Sequence, residues 1–333
     1  MLQTAYLQFL CGRLTRPEAR VINLGSINID YVYQVPHFVR PGETLAATAR
    51  AVHMGGKGLN QTVAMARAGL AVAHAGRVGP DGGLLKEFLE AEGVDVSAIE
   101  TDPSTPSGHT VIQVTPEAEN SILYFPGTNA GITPAFRARA FASSNPGDWL
   151  VIQNELNGLD AIFKAAEKKG LRIVFNPAPW TDAAASVPVE RVEALIVNET
   201  EARGMLGETE LSGEALMRAL TERTAAPVVI LTEGSRGARV CCRRAGGGVS
   251  AKIPCWPVEA VDTTGAGDTF TGYAVRALVE TAEDNDPEAK AVISGLRFAA
   301  LAAALSVTKP GAAGSIPTRA EVEAEAEKRG VVF

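Results

Sequence analysis

From Trp149 onward, short apolar runs alternate with longer segments of helical period. Residues 149–153, 171–175, 194–197 and 228–232 read as strands, and 159–169, 200–206 and 211–223 as helices. Strands separated by helices pair in parallel through right-handed crossovers, so the pattern predicts a mostly parallel sheet flanked by helices. Polar residues then gather just past successive strand ends: Asn154 and Glu155, Asn176, Asn198 and Glu201, and Thr232 to Gly237. One such residue would mean little. A series of them along a parallel sheet describes a ligand crevice.

The first half adds pieces around this frame. Residues 20–24 (R-V-I-N-L) read as a buried strand ending at Gly25, followed by G-S-I-N-I-D. Asn28 and Asp30 alternate along an extended segment and therefore share a face. They read equally as ligand-facing groups or as turn residues. Residues 31–53 are strand-like pieces broken by Pro36 and Pro41-Gly42, an excursion from the main sheet. Residues 54–61 (M-G-G-K-G-L-N-Q) open an alanine-rich helical run to Ala68. Lys57 is followed by Gly58 and not by Ser or Thr, so this is no Walker-type phosphate loop, and it lacks the dinucleotide spacing too. It is either a helix start that approaches a polyhydroxylated ligand with Lys57 and Asn60, or simply a flexible one.

Residues 72–78 read as a strand, 83–92 as a helix, and 93–99 lead to a further strand. Residues 108–115 and 120–125 read as a hairpin around P-E-A-E. With 31–53 they are expected to make one small antiparallel sheet, a lid over the end of the main sheet. Residues 238–256 read as another hairpin, broken at Gly246-Gly247-Gly248. Helices are expected at 287–307 and 319–328, with a glycine-rich loop at 309–315 between them.

Residues 261–270 read V-D-T-T-G-A-G-D-T-F and lead into an apolar run of helical period. Gly265, Ala266 and Gly267 carry almost no side chain, so a ligand can come close to their main-chain N–H groups. At a helix N-terminus such groups favour an anion. Asp268 then sets a carboxylate beside the anion. A carboxylate repels phosphate, so the pairing points to phosphoryl transfer to a hydroxyl rather than phosphate storage. The alternative is a capped helix, with Thr263 or Thr264 as N-cap and an acid in its first turn.

Composition narrows the partners. The 333-residue chain carries a net charge of −7, which argues against nucleic acid or an anionic membrane without excluding anionic substrates. Four cysteines, Cys11, Cys241, Cys242 and Cys255, form no C-x-x-C pair. Cys241 and Cys242 would point to opposite faces of a strand. All are read as reduced thiols, consistent with a cytoplasmic protein. No apolar run is read as long enough to span a membrane. Residues 1–10 are apolar and Arg13, Arg16 and Arg20 follow, so no positive segment precedes the apolar part as in a secretory signal. Residues 1–19 are read as an N-terminal extension, with an organellar presequence in residues 1–20 as the alternative. The glycosylation triplets at Asn60 and Asn198 are then coincidental.

Six segments taken together resemble the ribokinase family of carbohydrate kinases: G-S-I-N-I-D, G-G-K-G-L-N-Q, N-P-A-P (176–179), N-E-T-E-A (198–202), T-E-G-S-R-G (232–237) and V-D-T-T-G-A-G-D-T-F. The resemblance runs from about Arg20 to the C-terminus. It implies a ribokinase-like three-layer α/β/α kinase domain over 20–333, with a β lid formed by about 31–53 and 107–126. It implies ATP-dependent phosphorylation of D-ribose at the 5-hydroxyl, giving D-ribose 5-phosphate; kinases for deoxyribose, another sugar or a nucleoside are the alternative.

Site roles follow from the same resemblance. Asp268 is the implied base, with Gly265, Ala266 and Gly267 as the anion hole. Asn28, Asp30, Gly56, Lys57, Asn60 and Glu155 are the implied sugar pocket. Asn198, Thr232, Gly234, Ser235, Arg236 and Gly237, with Gly267 and Asp268, are implied for ATP. Asn198 and Glu201 would organise Mg²⁺ through water. K⁺ would be held by Asp262, Thr264, Ser306, Lys309, Gly311 and Ser315, several through main-chain carbonyls. A homodimer through the lid is expected. The sequence departs from the family at Ala300, where a polar or imidazole side chain near the adenine would be expected. A non-catalytic sugar sensor would be expected to lack the base or the anion hole, and a nicotinamide dehydrogenase would need a dinucleotide fingerprint that G-S-I-N does not supply.

Overall fold

The computed structural model describes residues 20–117, 119–243, 248–283 and 289–333. The expected extension (1–19), with Cys11, and the tip of the 238–256 hairpin at Gly246 and Gly247 lie outside the described residues. The strands are β1 (Val21–Leu24), β2 (Asn28–Gln34), β3 (Ala49–Gly55), β4 (Val72–Val78), β5 (Asp95–Thr101), β6 (Gly108–Val114), β7 (Asn120–Phe125), β8 (Trp149–Gln153), β9 (Arg172–Asn176), β10 (Ala194–Asn198), β11 (Val228–Thr232), β12 (Ala238–Cys242) and β13 (Val249–Ile253). The helices are α1 (Lys57–Arg67), α2 (Gly83–Ala91), α3 (Pro134–Ala140), α4 (Leu159–Lys169), α5 (Asp182–Ala185), α6 (Glu199–Leu206), α7 (Gly213–Arg223), α8 (Ala266–Glu283), α9 (Ala289–Ser306) and α10 (Arg319–Lys328).

Nine strands form the large sheet in the order β13-β12-β11-β10-β9-β8-β1-β4-β5. Its pairs are parallel from β5 to β11, and β12 and β13 close the other edge as an antiparallel hairpin. The central strands are apolar because both faces are covered. Alternate residues feed two cores. Val21, Val228 and Ile230 pack with α1, α8 and α9 on one face, while Ile22, Val229 and Leu231 pack with α3, α4 and α7 on the other. Cys241 and Cys242 follow this rule, one in each core.

The small sheet runs β3-β2-β6-β7. It corrects the expectation of an antiparallel lid: β2–β3 and β6–β7 are antiparallel, but β2 and β6 pair in parallel, Asn28 opposite Gly108. Between β2 and β6 the chain passes through β4 and β5 of the large sheet, and a long crossover permits parallel pairing where a hairpin does not. Strand β7 is exposed along its whole length and forms an edge of this sheet.

A second correction concerns α9. Its 18 residues have a mean hydropathy of 1.4, enough by length and composition to cross a membrane, although 61% of that stretch is buried inside the protein. Small residues, Ala299 to Ala304 apart from Leu301, let it pack closely into the core, so it reads as a core helix.

Candidate active site

The site is organised by the meeting of two helix starts. The G-S-I-N turn holds the start of α1: Ser26 accepts from Leu59 N at its carbonyl (2.9 Å) and from Gly58 N at its hydroxyl (3.2 Å). The main chains touch here. A Cβ added to Gly25 would lie 2.5 Å from Gly58 Cα, and one added to Gly58 would lie 2.5 Å from Gly25 Cα. The first turns of α1 then carry Lys57, Asn60 and Gln61 toward the start of α8.

Asp268 sits in the first turn of α8, 8% exposed. Asn60 Nδ2 donates to its Oδ2 (3.0 Å) and Gln61 Nε2 to its Oδ1 (2.9 Å). Asn60 Oδ1 is buried with no hydrogen-bond partner among the described residues, an unfilled acceptor beside Asp268. Lys57 lies between carboxylates. Asp268 above all, then Glu155 and Glu201, raise its pKa against the opposing effect of burial, and its ammonium stays charged. Its main-chain N–H donates to Glu155 Oε2 (3.1 Å), which also accepts from Ser26 Oγ (2.5 Å). Burial pushes the Glu155 carboxyl above its usual range, with Lys57 and Ser26 opposing.

The opposite wall comes from the small sheet. Asn28 Oδ1 accepts from Asn129 Nδ2 (2.7 Å), whose own Oδ1 accepts from Ile27 N (3.1 Å). This turns the Asn28 amide N–H₂ away from Asn129. Asp30 Oδ1 accepts from Thr110 Oγ1 (2.6 Å), and burial raises its pKa against the effects of Thr110 and His53.

A cavity of about 240 Å³ opens between Lys57, Asn176, Asn198, Glu201, Thr232, Gly265, Gly267 and Asp268. Gly265 has φ +77°, a left-handed conformation suited to glycine, and a Cβ there would lie 3.1 Å from Ala312 Cα. Ala266 N donates to Thr263 O (3.3 Å), while the N–H groups that follow in the first turn of α8 lack intrahelical acceptors and suit an anion. Size does not identify the site. A cleft of about 500 Å³ at Asp160, Phe163, Glu167 and Arg191 shares no residue with it.

Asn198 and Glu201 form a capping box at the start of α6. Asn198 Oδ1 accepts from Glu201 N (2.8 Å), and Glu201 accepts from Asn198 N and Nδ2 (both 2.9 Å). Burial raises the Glu201 carboxyl against these bonds and Lys57. Among the described residues no three His, Cys, Asp or Glu side chains are placed to hold a metal. Asn198 and Glu201 present an amide and a carboxylate, oxygen donors of the kind Mg²⁺ takes while keeping several waters.

The proposed K⁺ ligands lie on two segments stitched together. Asp262 accepts from Thr264 N (2.9 Å) and Gly311 N (2.8 Å), and Val307 O accepts from Val261 N and Asp262 N. Burial opposes ionisation of Asp262, but the Thr264 and Gly311 hydrogen bonds outweigh it and lower its pKa. The buried hydroxyls of Ser306 and Ser315 donate to Ala303 O and Ala312 O, which leaves their lone pairs facing elsewhere. Lys309 Nζ pairs with Glu321 (3.1 Å), so only its main chain is available to the loop.

Other expected residues are not drawn into the cavity. Gly234–Arg236 form a 3-10 turn beside it, closed by Glu233 N to Gly237 O (2.7 Å), and Arg236 pairs with Glu199. Ala300 packs in the apolar core. Sequence reasoning missed Gln61, Asn129, Thr110 and Ser26 as site groups, and gave Asn176 no individual role. Gln61 lies inside a segment already singled out; Thr110 and Asn129 carry no local signal.

The sequence pattern of the pfkB family carbohydrate kinases matches residues 18–319. The chain is 36% identical over 304 residues to a ribokinase of Haemophilus influenzae, covering 90% of this chain and 95% of that protein. It is 37% identical over 304 residues to a ribokinase of Bacillus subtilis, covering 90% and 97%. The fold superposes on the Arabidopsis thaliana ribokinase solved with ribose and ATP with a TM-score of 0.75 at 26% identity, covering 92% of this chain and 98% of that one.

Proposed function

Because the chain belongs to the pfkB family of carbohydrate kinases, we propose that it transfers the γ-phosphoryl group of ATP to the 5-hydroxyl of D-ribose, with Asp268 as the base. Phosphorylation of ribose rests on the family and on ribokinases alike over nine tenths of this chain. The residue roles rest on one observation: a buried carboxylate, held at both oxygens, beside the open first turn of α8.

Asn28, Asp30 and Asn60 bind the sugar hydroxyls, with Gly56, Lys57 and Glu155 shaping the pocket floor. The sugar 5-oxygen attacks the γ-phosphorus. The bond to the β–γ bridging oxygen breaks and leaves with its electron pair on ADP. The hydroxyl proton passes to Asp268. An aspartate serves because the transition state is loose and the hydroxyl becomes acidic late in transfer. Main-chain N–H groups at Gly265, Ala266 and Gly267 meet the charge on the transferring group, a contribution worth about a hundredfold or more in rate per donor. Lys57, charged and next to Asp268, reinforces that charge balance. Thr232 and the 234–237 turn border the nucleotide. Mg²⁺, reached through Asn198 and Glu201, neutralises phosphate charge when bound.

K⁺ bound by the 262–264 and 306–315 segments would firm the loop from which α8 starts. Residues 20–333 act as one kinase domain, with the small sheet as its lid. Ile122, Leu123, Tyr124 and Phe125 are all exposed on the edge strand β7, which supports a homodimer through that sheet. Cys241, Cys242 and Cys255 are free thiols, consistent with the cytoplasm.

ADP release is to be measured over a panel of pentoses, hexoses and nucleosides, with Mg²⁺ and with Na⁺ or K⁺. Ribose should give the highest kcat/KM and K⁺ should raise the rate. Preference for deoxyribose or a nucleoside would reassign the acceptor, and equal rates in Na⁺ and K⁺ would remove the cation site.

A further inference from the structure

Beneath Asp268 lies a continuous chain of buried polar side chains that the transfer step itself does not use. Gln61 Nε2 donates to Asp268 Oδ1 and to Asn176 Oδ1, both at 2.9 Å. Gln153 Nε2 donates to Gln61 Oε1 (2.7 Å) and to Asn23 Oδ1 (3.0 Å). Asn23 Nδ2 donates to Gly58 O and to Thr62 Oγ1, both at 2.7 Å. Thr62 Oγ1 meets His74 Nδ1 at 2.7 Å, and His74 Nε2 meets Gly25 O at 3.3 Å.

An amide side chain can be turned over, exchanging donor for acceptor. Here none can. Gly25 O, Gly58 O and Ile196 O are main-chain carbonyls, which only accept. Gly58 O requires the nitrogen of Asn23 to face it, so Asn23 presents oxygen to Gln153. Gln153 therefore presents nitrogen to Gln61, and Gln61 presents nitrogen to Asp268. On the other branch Asn176 Nδ2 donates to Ile196 O (2.9 Å), so Asn176 also presents oxygen to Gln61. At the far end burial holds His74 at a pKa of about 4, neutral, with its proton on the nitrogen facing Gly25. Every amide has one permitted direction, and together they leave Gln61 Nε2 as the group that donates to Asp268 Oδ1.

We infer that Gln61, locked by Gln153 and Asn23, is the positioning residue that aims the Asp268 carboxylate at the acceptor hydroxyl. Asn60 holds the second oxygen, so the carboxylate is fixed in rotation about its own bond. Its remaining lone pairs then have a set direction before either substrate arrives. The inference rests on Asp268 being the base.

The test uses Gln61→Leu, Gln153→Met, the double variant and Asp268→Asn in the full-length protein. Gln61→Leu should lower kcat about 10- to 100-fold, because a misplacement of up to about 1 Å costs such factors, with KM for sugar and ATP within about twofold of the parent. Gln153→Met should lower kcat by a smaller factor. The double variant should be no slower than Gln61→Leu, since Gln153 acts only through Gln61. A purely structural role would lower the melting temperature and lose activity additively. Gln61→Leu leaves buried partners unpaired; if it does not fold, Gln153→Met alone decides, and an unchanged kcat there overturns the inference. So does a folded Gln61→Leu with parental kcat, a loss confined to KM, or additive losses in the double variant. If Asp268→Asn keeps its turnover, the base assignment fails, and this inference with it. If Asp268→Asn is inactive while Gln61→Leu is not, only the positioning role fails.

Discussion

The two sheets are built on opposite terms. In the large sheet, β1 and β8 are buried from end to end, with an apolar core on each face. In the small sheet, β7 is exposed at every residue and β3 at most of them. The difference sorts the site. Groups that must be held still belong to the large sheet and its helices: Asp268, Gln61, Gln153, Asn176 and the α8 turn. Two of the groups proposed for the acceptor, Asn28 and Asp30, stand instead on the small sheet, where Thr110 holds Asp30. Packing from both sides fixes a side chain, whereas a lightly covered sheet can shift to admit and enclose a substrate.

The sharpest way to break this division is Asp268→Asn. It should lower kcat by roughly 10³-fold or more while leaving ATP affinity nearly unchanged by calorimetry. A loss shared equally with ATP binding would mean that the large-sheet side binds rather than reacts. Gly265→Ala should follow, with kcat reduced about a hundredfold, because the strained turn moves the N–H groups proposed to meet the phosphoryl group.

On the small sheet, Asp30→Asn should act through kcat/KM for ribose, by roughly 10- to 100-fold, with kcat for ATP turnover at saturating sugar much less affected. It also carries a pH signature. Burial raises the Asp30 carboxyl above its ordinary 3.8, so the folded protein keeps a proton that the unfolded chain has released. Stability from this group therefore falls as pH rises from about that value through the folded one. The Asn variant escapes that loss. Its melting temperature should gain on the parent as pH rises above about 3.8, the ordinary value, and a change in the reverse direction would sink the reading.

The smallest effects test the packing itself. Leu231→Ala, at 0% exposure in the large sheet, should cost about 2–5 kcal/mol in urea unfolding. Leu123→Ala, 71% exposed on β7, should cost under about 0.5 kcal/mol at concentrations where the protein is monomeric. If Leu123→Ala becomes costly only at micromolar concentration or above, the exposed strand is covered by a second copy.

Much of the large sheet was legible because burial writes itself into sequence as apolar runs separated by helical period. The helix start at Ala266 was legible because a glycine turn followed by an acid suits a first helical turn, whether that turn is simply capped or meets an anion. The direction of the β2–β6 pairing was not. Alternation records which face a residue occupies, and it is the same for parallel and antiparallel neighbours. Thr110 and Asn129 stayed hidden for the related reason that their partners are Asp30 and Asn28, far along the chain. Asn23 and Gln153 did leave a trace, as single amides inside strands otherwise apolar. Read as ordinary strand residues, they gave no hint that the two strands lie side by side with Asn23 bonded to Gln153.

The contact of Gly25 with Gly58 bears on how such a chain can vary. Each occupies the space a side chain on the other would need. A substitution at either cannot be relieved by shrinking its neighbour, since the neighbour is already as small as a residue can be. Neither glycine donates a side-chain group to a substrate, yet a library of variants should find both positions as closed to change as the base itself. Intolerance to mutation would then mark, besides the chemistry, the point where two backbones leave no room for anything else.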